Sequence, residues 1–268
     1  MDRALSRRYL QAMGVMAWRP RDDDTLVEQG IEELAQRDLE GQDAITGKTV
    51  PADSSAAPAI SASVAQPVLG DAAAALDWGP LQQAVAACRA CELCKTRTQT
   101  VFGVGDRHAD LMIIGEAPGA DEDRQGEPFV GRAGQLLNLM LAAIGLKREQ
   151  VYIANILKCR PPGNRDPGAE EALRCEPFLM RQIALIRPRV LLSVGRISAQ
   201  KLLKTDTPIG KLRGRWFEFG PDGTPLTITY HPAYLLRSPD QKAKAWQDLI
   251  QIVRRLRSVP GDVGNRVG

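Results

Sequence analysis

The stretch Leu111–Leu137, LMIIGEAPGADEDRQGEPFVGRAGQLL, indicates the fold of this chain. It opens with an apolar run, Leu111–Gly115, that is typical of a buried strand, and enters a turn rich in glycine, proline and carboxylates. A second glycine-bounded loop carries Phe129, and apolar residues then recur at helical spacing from Ala133. An ordinary connection is the alternative, but so long a loop inside a compact domain usually has a function. Because open α/β sheets bind ligands where strands end, the stretch predicts a site.

Three more apolar runs predict strands at Val151–Ile156, Val190–Val194 and Leu226–Tyr230. Helical patterns separate most of the strands, and a last helix closes the chain; the predicted helices are Pro80–Ala87, Ala133–Ile144, Ala169–Ile186, Ser198–Leu203 and Lys242–Arg257. Alternation of this kind predicts a three-layer α/β/α sandwich around a central four-stranded parallel sheet. All four strands end in polar or glycine-containing turns, so their carboxyl ends should share one rim.

The chain has 268 residues and divides by composition into three parts. Residues 1–40 predict two short amphipathic helices of unknown role, residues 41–77 an Ala/Ser/Pro-rich flexible linker, and residues 78–268 one globular domain. Residues 1–80 carry 7 basic and 13 acidic side chains, whereas the remainder carries 28 and 19. A basic domain is compatible with a polyanionic partner. With no 18-residue apolar run and no signal peptide, we expect a cytoplasmic monomer without membrane contact.

Four of the five cysteines have spacings typical of a metal centre. Cys88 and Cys91 form a CxxC motif, and Cys159 and Cys175 follow with fifteen residues between them. One buried cysteine alone is usually just a small apolar residue, but four thiolates suit zinc or an iron–sulfur cluster. Cys94 makes the first motif CxxCxxC and could replace either neighbour as a ligand. None of these cysteines has an adjacent base, so we expect a structural rather than a catalytic centre.

Four side chains that could recognise a flat heterocycle lie at or after the ends of the predicted strands: Glu116, Phe129, Asn155 and His231. An aromatic plane, an amide that both donates and accepts, a carboxylate and a histidine would suit a base with imide edges. In isolation, Asn155 is better explained as a turn cap and His231 as a core or loop histidine. Their predicted position at one rim favours a binding site.

The motifs GEAPGADEDRQGEPFVGRAGQLLN, NILKCRPPGNRDP and HPAYLLR, together with the four cysteines, closely resemble those of family 4 uracil-DNA glycosylases. These are iron–sulfur members of the uracil-DNA glycosylase superfamily. The resemblance spans about Cys88 to Arg257 and leaves the first eighty residues outside it. It implies a DNA repair enzyme that hydrolyses the N-glycosidic bond of uracil. A noncatalytic metal-cluster DNA-binding module on the same fold is the alternative.

The resemblance implies a role for each matching residue. Glu116 and His231 are expected to be catalytic, His231 through uracil O2, while Phe129 stacks on the base, Asn155 reads its edge and Glu122 lies near C5. The uracil pocket should comprise Gly115, Ala117, Glu122, Phe129, Asn155 and His231. A 4Fe-4S cluster, with zinc less favoured, would be held by Cys88, Cys91, Cys159 and Cys175, leaving Cys94 as a spare thiol.

Contacts with single- or double-stranded DNA are expected around the pocket. Leu235 and Leu236 beside the histidine could fill the gap left by the extruded base, although a Leu-Leu pair usually belongs to the core. The basic residues predicted to contact phosphates are Arg165, Lys211, Arg213, Arg215 and Arg237. No lysine is placed for a Schiff base, so a monofunctional enzyme is expected. A related branch of the superfamily bonds covalently to DNA through a histidine in an added basic loop, and because this sequence has no such insertion, that activity is not expected. The two leader helices could recruit a protein partner.

Overall fold

The computed structural model describes residues 11, 14 and 73–258. The two helices predicted within residues 1–40, apart from residues 11 and 14, and the predicted linker up to residue 72 therefore lie outside the described residues. Ala73 and Leu76, from the end of that linker segment, already pack beside Leu81 and Phe178 of the globular domain.

The centre of the domain is a six-stranded mixed sheet with the strand order β1-β3-β2-β4-β6-β5. The four central strands run parallel, and β1 and β5 flank them antiparallel. The strands are β1 (Val104–Gly105), β2 (Leu111–Gly115), β3 (Tyr152–Asn155), β4 (Val190–Val194), β5 (Trp216–Phe219) and β6 (Thr224–Thr229). The predicted α/β class is confirmed, but the sheet has six strands rather than four.

The two additional strands lie at the edges and have weak sequence signals. β1 has only two residues, which is too short for a period-two pattern. β5 forms a hairpin with β6 across the Gly220–Gly223 turn, and its side chains are exposed or only half buried. Because β1 is so short and β5 is partly exposed, the sequence pattern predicted neither strand.

Eight α-helices surround the sheet within the described range of the chain. They are α1 (Trp78–Ala87), α2 (Ala120–Gln125), α3 (Arg132–Ala143), α4 (Ala169–Ile186), α5 (Arg196–Leu203), α6 (Ile209–Leu212), α7 (Pro232–Arg237) and α8 (Lys242–Ser258). Short 3-10 helices occupy Glu92–Lys95, Arg148–Gln150, Pro162–Asn164 and Pro239–Gln241. The five predicted helices are all present, with boundaries shifted by at most two residues.

The core lies on both faces of the sheet, because alternate residues of each central strand point in opposite directions. Ile113, Ile153 and Leu192 pack with α3 and α8 on one face. Met112, Tyr152 and Leu191 pack with α4 and α5 on the other. Burial on both faces explains why these strands are continuous apolar runs. It also places their carboxyl ends, and the polar residues that follow them, at one edge of the sheet.

Candidate functional site

The carboxyl ends of the four parallel strands open into one cleft of about 800 Å³. Glu116 follows β2, Asn155 ends β3, Gly195 follows β4 and His231 follows β6, and all four line the cleft. Ala117, Glu122 and Phe129, from the loops after β2, line it as well. The structure therefore brings together the side chains that the sequence placed at one rim.

Asn155 carries an unpaired polar atom in this cleft. Asn155 is only 2% exposed. Among the described residues, its Oδ1 is the one buried side-chain nitrogen or oxygen atom without a hydrogen-bond partner. A buried polar atom without a partner costs about 1–3 kcal/mol. Lys158 holds the backbone beneath it, since the buried Nζ donates to the Asn155 carbonyl at 2.9 Å and to Gln182 Oε1 at 2.6 Å. Asn155 Oδ1 is thus available to accept a hydrogen bond from an N–H or O–H group of a ligand.

The Phe129 ring closes one side of the cleft. It stacks against the His231 ring with centroids 5.5 Å apart and an angle of 29° between planes. Gly115 lies directly behind it, and a Cβ atom there would come within 2.7 Å of the ring and collide with the Asn155 amide. The absence of a side chain at Gly115 therefore leaves space for both groups that face the cleft.

His231 is neutral and held in one tautomer. It caps the N-terminus of α7, where its Nδ1 accepts a hydrogen bond from Ala233 N at 3.1 Å, and Pro232 follows at the first helical position. Because Nδ1 is the acceptor, the proton of the neutral ring lies on Nε2. Burial, assisted by the positive charge of Arg237, lowers the pKa of His231 to about 4. At neutral pH this residue is a hydrogen-bond donor without charge.

Glu116 has an unusually high pKa. Burial, followed by the negative charge of Asp166, raises its pKa to about 7, and Arg196 opposes the shift. Asp166 and Arg196 form an ion pair at 2.8 Å, and both line the cleft. Ionisable groups with strongly perturbed pKa values often mark functional sites. Near pH 7, Glu116 populates both its protonated and its ionised forms.

The Glu122 carboxylate is bound by three backbone N–H groups. Oε2 accepts from Gly119 N at 3.1 Å, and Oε1 accepts from Val130 N at 3.0 Å and Gly131 N at 3.1 Å. Although Glu122 lines the cleft as the sequence predicted, its oxygens are used to fix the loop that carries Phe129.

All five cysteines line a second cavity, together with Arg97 and Lys158. Arg97 Nη1 donates to Cys159 Sγ at 3.0 Å, and Lys158 N donates to Cys175 Sγ at 3.3 Å. Burial raises the pKa of Cys175 to about 12. Within the described ranges, no three His, Cys, Asp or Glu side chains are grouped to hold a single metal ion. The cysteine thiols nevertheless line one cavity, and N–H groups donate hydrogen bonds to two of the sulfur atoms. This arrangement fits a metal centre ligated by cysteine sulfur.

Residues 102–250 match the family model of the uracil DNA glycosylase superfamily. The chain belongs to this superfamily. The resemblance to family 4 is confirmed, since the chain is 45% identical over 174 residues to the Type-4 uracil-DNA glycosylase of Archaeoglobus fulgidus, covering 63% of this chain and 87% of that protein. It is 42% identical over 185 residues to the Type-4 enzyme of Saccharolobus solfataricus, covering 66% and 86%. A Type-5 uracil-DNA glycosylase of Pyrobaculum aerophilum is 34% identical over 115 residues, covering 37% of this chain and half of that protein.

Two of the residues expected to contact DNA in this superfamily member are instead structural. Leu235 is 1% exposed and packs in the core beside α3, so it cannot act as a wedge, whereas its neighbour Leu236 is 39% exposed. Arg213 forms a bidentate ion pair with the buried Asp248, at 3.1 and 2.7 Å. In this structure both side chains are therefore engaged within the protein, because the face of a short helix buries Leu235 and a partner 35 residues away binds Arg213.

The remaining predicted DNA contacts keep an accessible position. Arg237 and Arg165 line the cleft, although Arg165 also forms an ion pair with Glu171 at 2.5 Å. Two supporting arginines were not predicted from the sequence: Arg97, which contacts the cysteine centre, and Arg148, which contacts the loop that carries Phe129. Neither lies in a motif that signals this role. No helix among the described residues is long and apolar enough to cross a membrane.

Proposed function

We propose that the protein is a monofunctional uracil-DNA glycosylase that removes uracil from DNA and leaves an abasic site. The unpaired Asn155 Oδ1, facing the same cleft as Phe129, Glu116 and His231, is the observation that carries the proposal. The names of the Type-4 relatives support it. These four groups match what recognition and removal of a uracil base require. Excision of uracil would begin base excision repair of damaged DNA.

Recognition requires the base to leave the DNA duplex, because the side chains that would bind it lie inside a cleft of the protein. A base stacked in the duplex could not reach them. Flipping costs a few kcal/mol and costs least at a mismatch or in a single strand, which favours uracil opposite guanine over uracil opposite adenine. The base would stack on Phe129, with its N3–H donating to Asn155 Oδ1 and its O4 accepting from the amide. Cytosine would present an amine and an unprotonated N3 instead, leaving both atoms of the amide mismatched.

Bond cleavage transfers the electron pair of the glycosidic bond to uracil N1, and the sugar acquires oxocarbenium character. The leaving base becomes an anion whose charge extends to O2. The neutral His231 can donate its Nε2–H to that oxygen, and removal of one such donor typically costs about 2.7–4 kcal/mol of transition-state stabilisation. Because the ring already has the required tautomer, no proton must move before the step.

Glu116 would act on the sugar side of the reaction. As a carboxylate it can accept a proton from the attacking water or stabilise the cationic sugar by its charge. Both roles need the ionised form, so the raised pKa makes the fraction of active enzyme depend on pH. Water addition at the anomeric carbon then completes the abasic site.

The cysteine centre is proposed to hold a 4Fe-4S cluster on Cys88, Cys91, Cys159 and Cys175, with zinc as the less favoured alternative. The bound cluster would supply a structural cross-link and no step of the hydrolysis. It would join the segment before Glu92–Lys95 to the residues after β3 and to α4. Arg97 donates to Cys159 Sγ and to the Cys88 carbonyl, so it already connects two of these segments.

DNA is proposed to lie across the mouth of the cleft. Arg165, Lys211, Arg215 and Arg237 would contact phosphates, and Leu236 would enter the gap left by the flipped base. We also propose that the protein acts as a monomer in the cytoplasm. We further propose that Glu122 lies near C5 of the bound uracil and that Cys94 is a thiol that does not bind the cluster. Residues 1–40 are proposed to recruit a protein partner.

A labelled oligonucleotide containing a single uracil tests the function. Incubation with the protein and then alkali should cleave the strand at uracil, while matched strands with cytosine or thymine at that position stay intact. The protein should also be brown and contain about four iron atoms per chain if the cluster is present. If the protein binds the strand but no cleavage at uracil follows, the alternative of a noncatalytic DNA-binding module would be favoured.

A further inference from the structure

The backbone segment Pro128–Gly131, called here the Phe129 segment, is held from two sides by oppositely charged side chains. On one side, Glu122 Oε1 accepts from the N–H groups of Val130 and Gly131. On the other side, Arg148 Nη2 donates to the Pro128 carbonyl at 2.5 Å and Nη1 to the Phe129 carbonyl at 3.3 Å. Four successive residues are thus fixed through the backbone by one carboxylate and one guanidinium.

The segment needs this support because Phe129 has an unfavourable backbone conformation. Its φ of +54° lies in the left-handed region, which is strained for a bulky aromatic residue. Hydrogen bonds to charged groups are among the strongest in proteins, so four of them can maintain such a conformation. The close approach of the Phe129 carbonyl to Gly134, where a side chain would collide, fixes the segment further.

Arg148 is suited to position the ring and has no direct access to a bound base. It belongs to the 3-10 helix Arg148–Gln150, behind the loop, and it is absent from the cleft lining. Its guanidinium is half buried and also reaches Asn138 Oδ1 at 3.4 Å. Its hydrogen bond to the Phe129 carbonyl is therefore the direct link between Arg148 and a residue that lines the cleft.

We propose that Arg148 is a positioning residue for uracil excision, which with Glu122 sets the plane of the Phe129 ring against the base. The proposal rests on the proposed function. It predicts that loss of the guanidinium loosens the stacking ring while Asn155, His231 and the cysteine centre stay intact. Because a misplacement of about 1 Å can cost about 100-fold in rate, the effect should be measurable.

The test compares Arg148→Met, Arg148→Lys and wild type in single-turnover excision from a uracil oligonucleotide. Arg148→Met should lose about 10-fold to 100-fold in rate. The inhibition constant for free uracil should rise in the same variant, with iron content and binding of uracil-free DNA unchanged. The rate of Arg148→Lys should lie between those of wild type and Arg148→Met, because a single ammonium group replaces a guanidinium that donates from two nitrogens. The matched control Arg124→Met removes an exposed guanidinium from the helix that carries Glu122 and should keep the wild-type rate.

A Phe129→Ala background distinguishes positioning from other roles. If Arg148 acts through the ring, adding Arg148→Met to Phe129→Ala should cause no further loss, whereas multiplying losses would overturn the proposal. A wild-type rate in folded Arg148→Met would overturn it too. Should that variant unfold below the assay temperature, a wild-type rate in Arg148→Lys would overturn it and a partial loss would support it. A wild-type protein without excision would instead refute the proposed function itself.

Discussion

Glu116 should give the excision rate a pH dependence with a midpoint near 7. Its pKa is raised to about 7, chiefly by burial, and both of its proposed roles require the carboxylate. A group with this pKa is about 9% ionised at pH 6 and about 91% ionised at pH 8. The rate should therefore rise about tenfold between these values and then level off. His231 should not add a second limb, because its pKa of about 4 keeps it neutral throughout.

Two neighbouring charges allow the midpoint to be moved in opposite directions. Asp166 raises the pKa of Glu116 and Arg196 lowers it. Asp166→Asn should therefore shift the pH profile to lower pH, and Arg196→Met should shift it to higher pH. Glu116→Gln should be slow and nearly independent of pH, because it has no ionisable carboxyl group.

The assay is single-turnover excision of uracil opposite guanine between pH 5.5 and 9 at constant ionic strength. Binding of uracil-free DNA, measured over the same range, separates changes in affinity from changes in chemistry. A flat profile in the wild type, or shifts of both neighbouring variants in the same direction, would refute the assignment of Glu116 as the titrating group.

Three further predictions concern the base donor, the space behind the pocket and a structural ion pair. His231→Ala should lower the excision rate by about 10²–10³-fold and keep the brown colour, and equal rates would contradict its role. Gly115→Ala should lower excision by about 100-fold, because its methyl group displaces the ring and amide that face the cleft; an unchanged inhibition constant for free uracil would contradict this. Arg213→Met should lower the free energy of unfolding in urea by about 3–5 kcal/mol because it leaves a carboxylate buried without its partner, whereas Arg215→Met should change it by about 0.5 kcal/mol at most.

The central strands and their adjacent helices could be predicted because local pattern and tertiary role coincide there. Leu111–Gly115 and Val190–Val194 are buried on both faces, so an apolar run signals them directly. Trp216–Phe219 lies at an edge, with side chains that are exposed or half buried, and a four-residue stretch of this kind has no clear period. Its pairing with Thr224–Thr229 depends on the turn between them.

The sequence by itself determined which residues meet at the cleft, since Glu116, Asn155 and His231 each end or follow a strand of one parallel sheet. Strand direction then places them at the same edge, whatever the details of packing.

Only the tertiary structure decided how each side chain is used. It buried Leu235 and exposed Leu236, paired Arg213 with Asp248, and brought Arg148 to the Phe129 segment from 19 residues away. Burial and pairing depend on partners that are distant along the chain. Whether a given arginine binds DNA, balances a buried carboxylate or holds a loop is therefore a property of the fold.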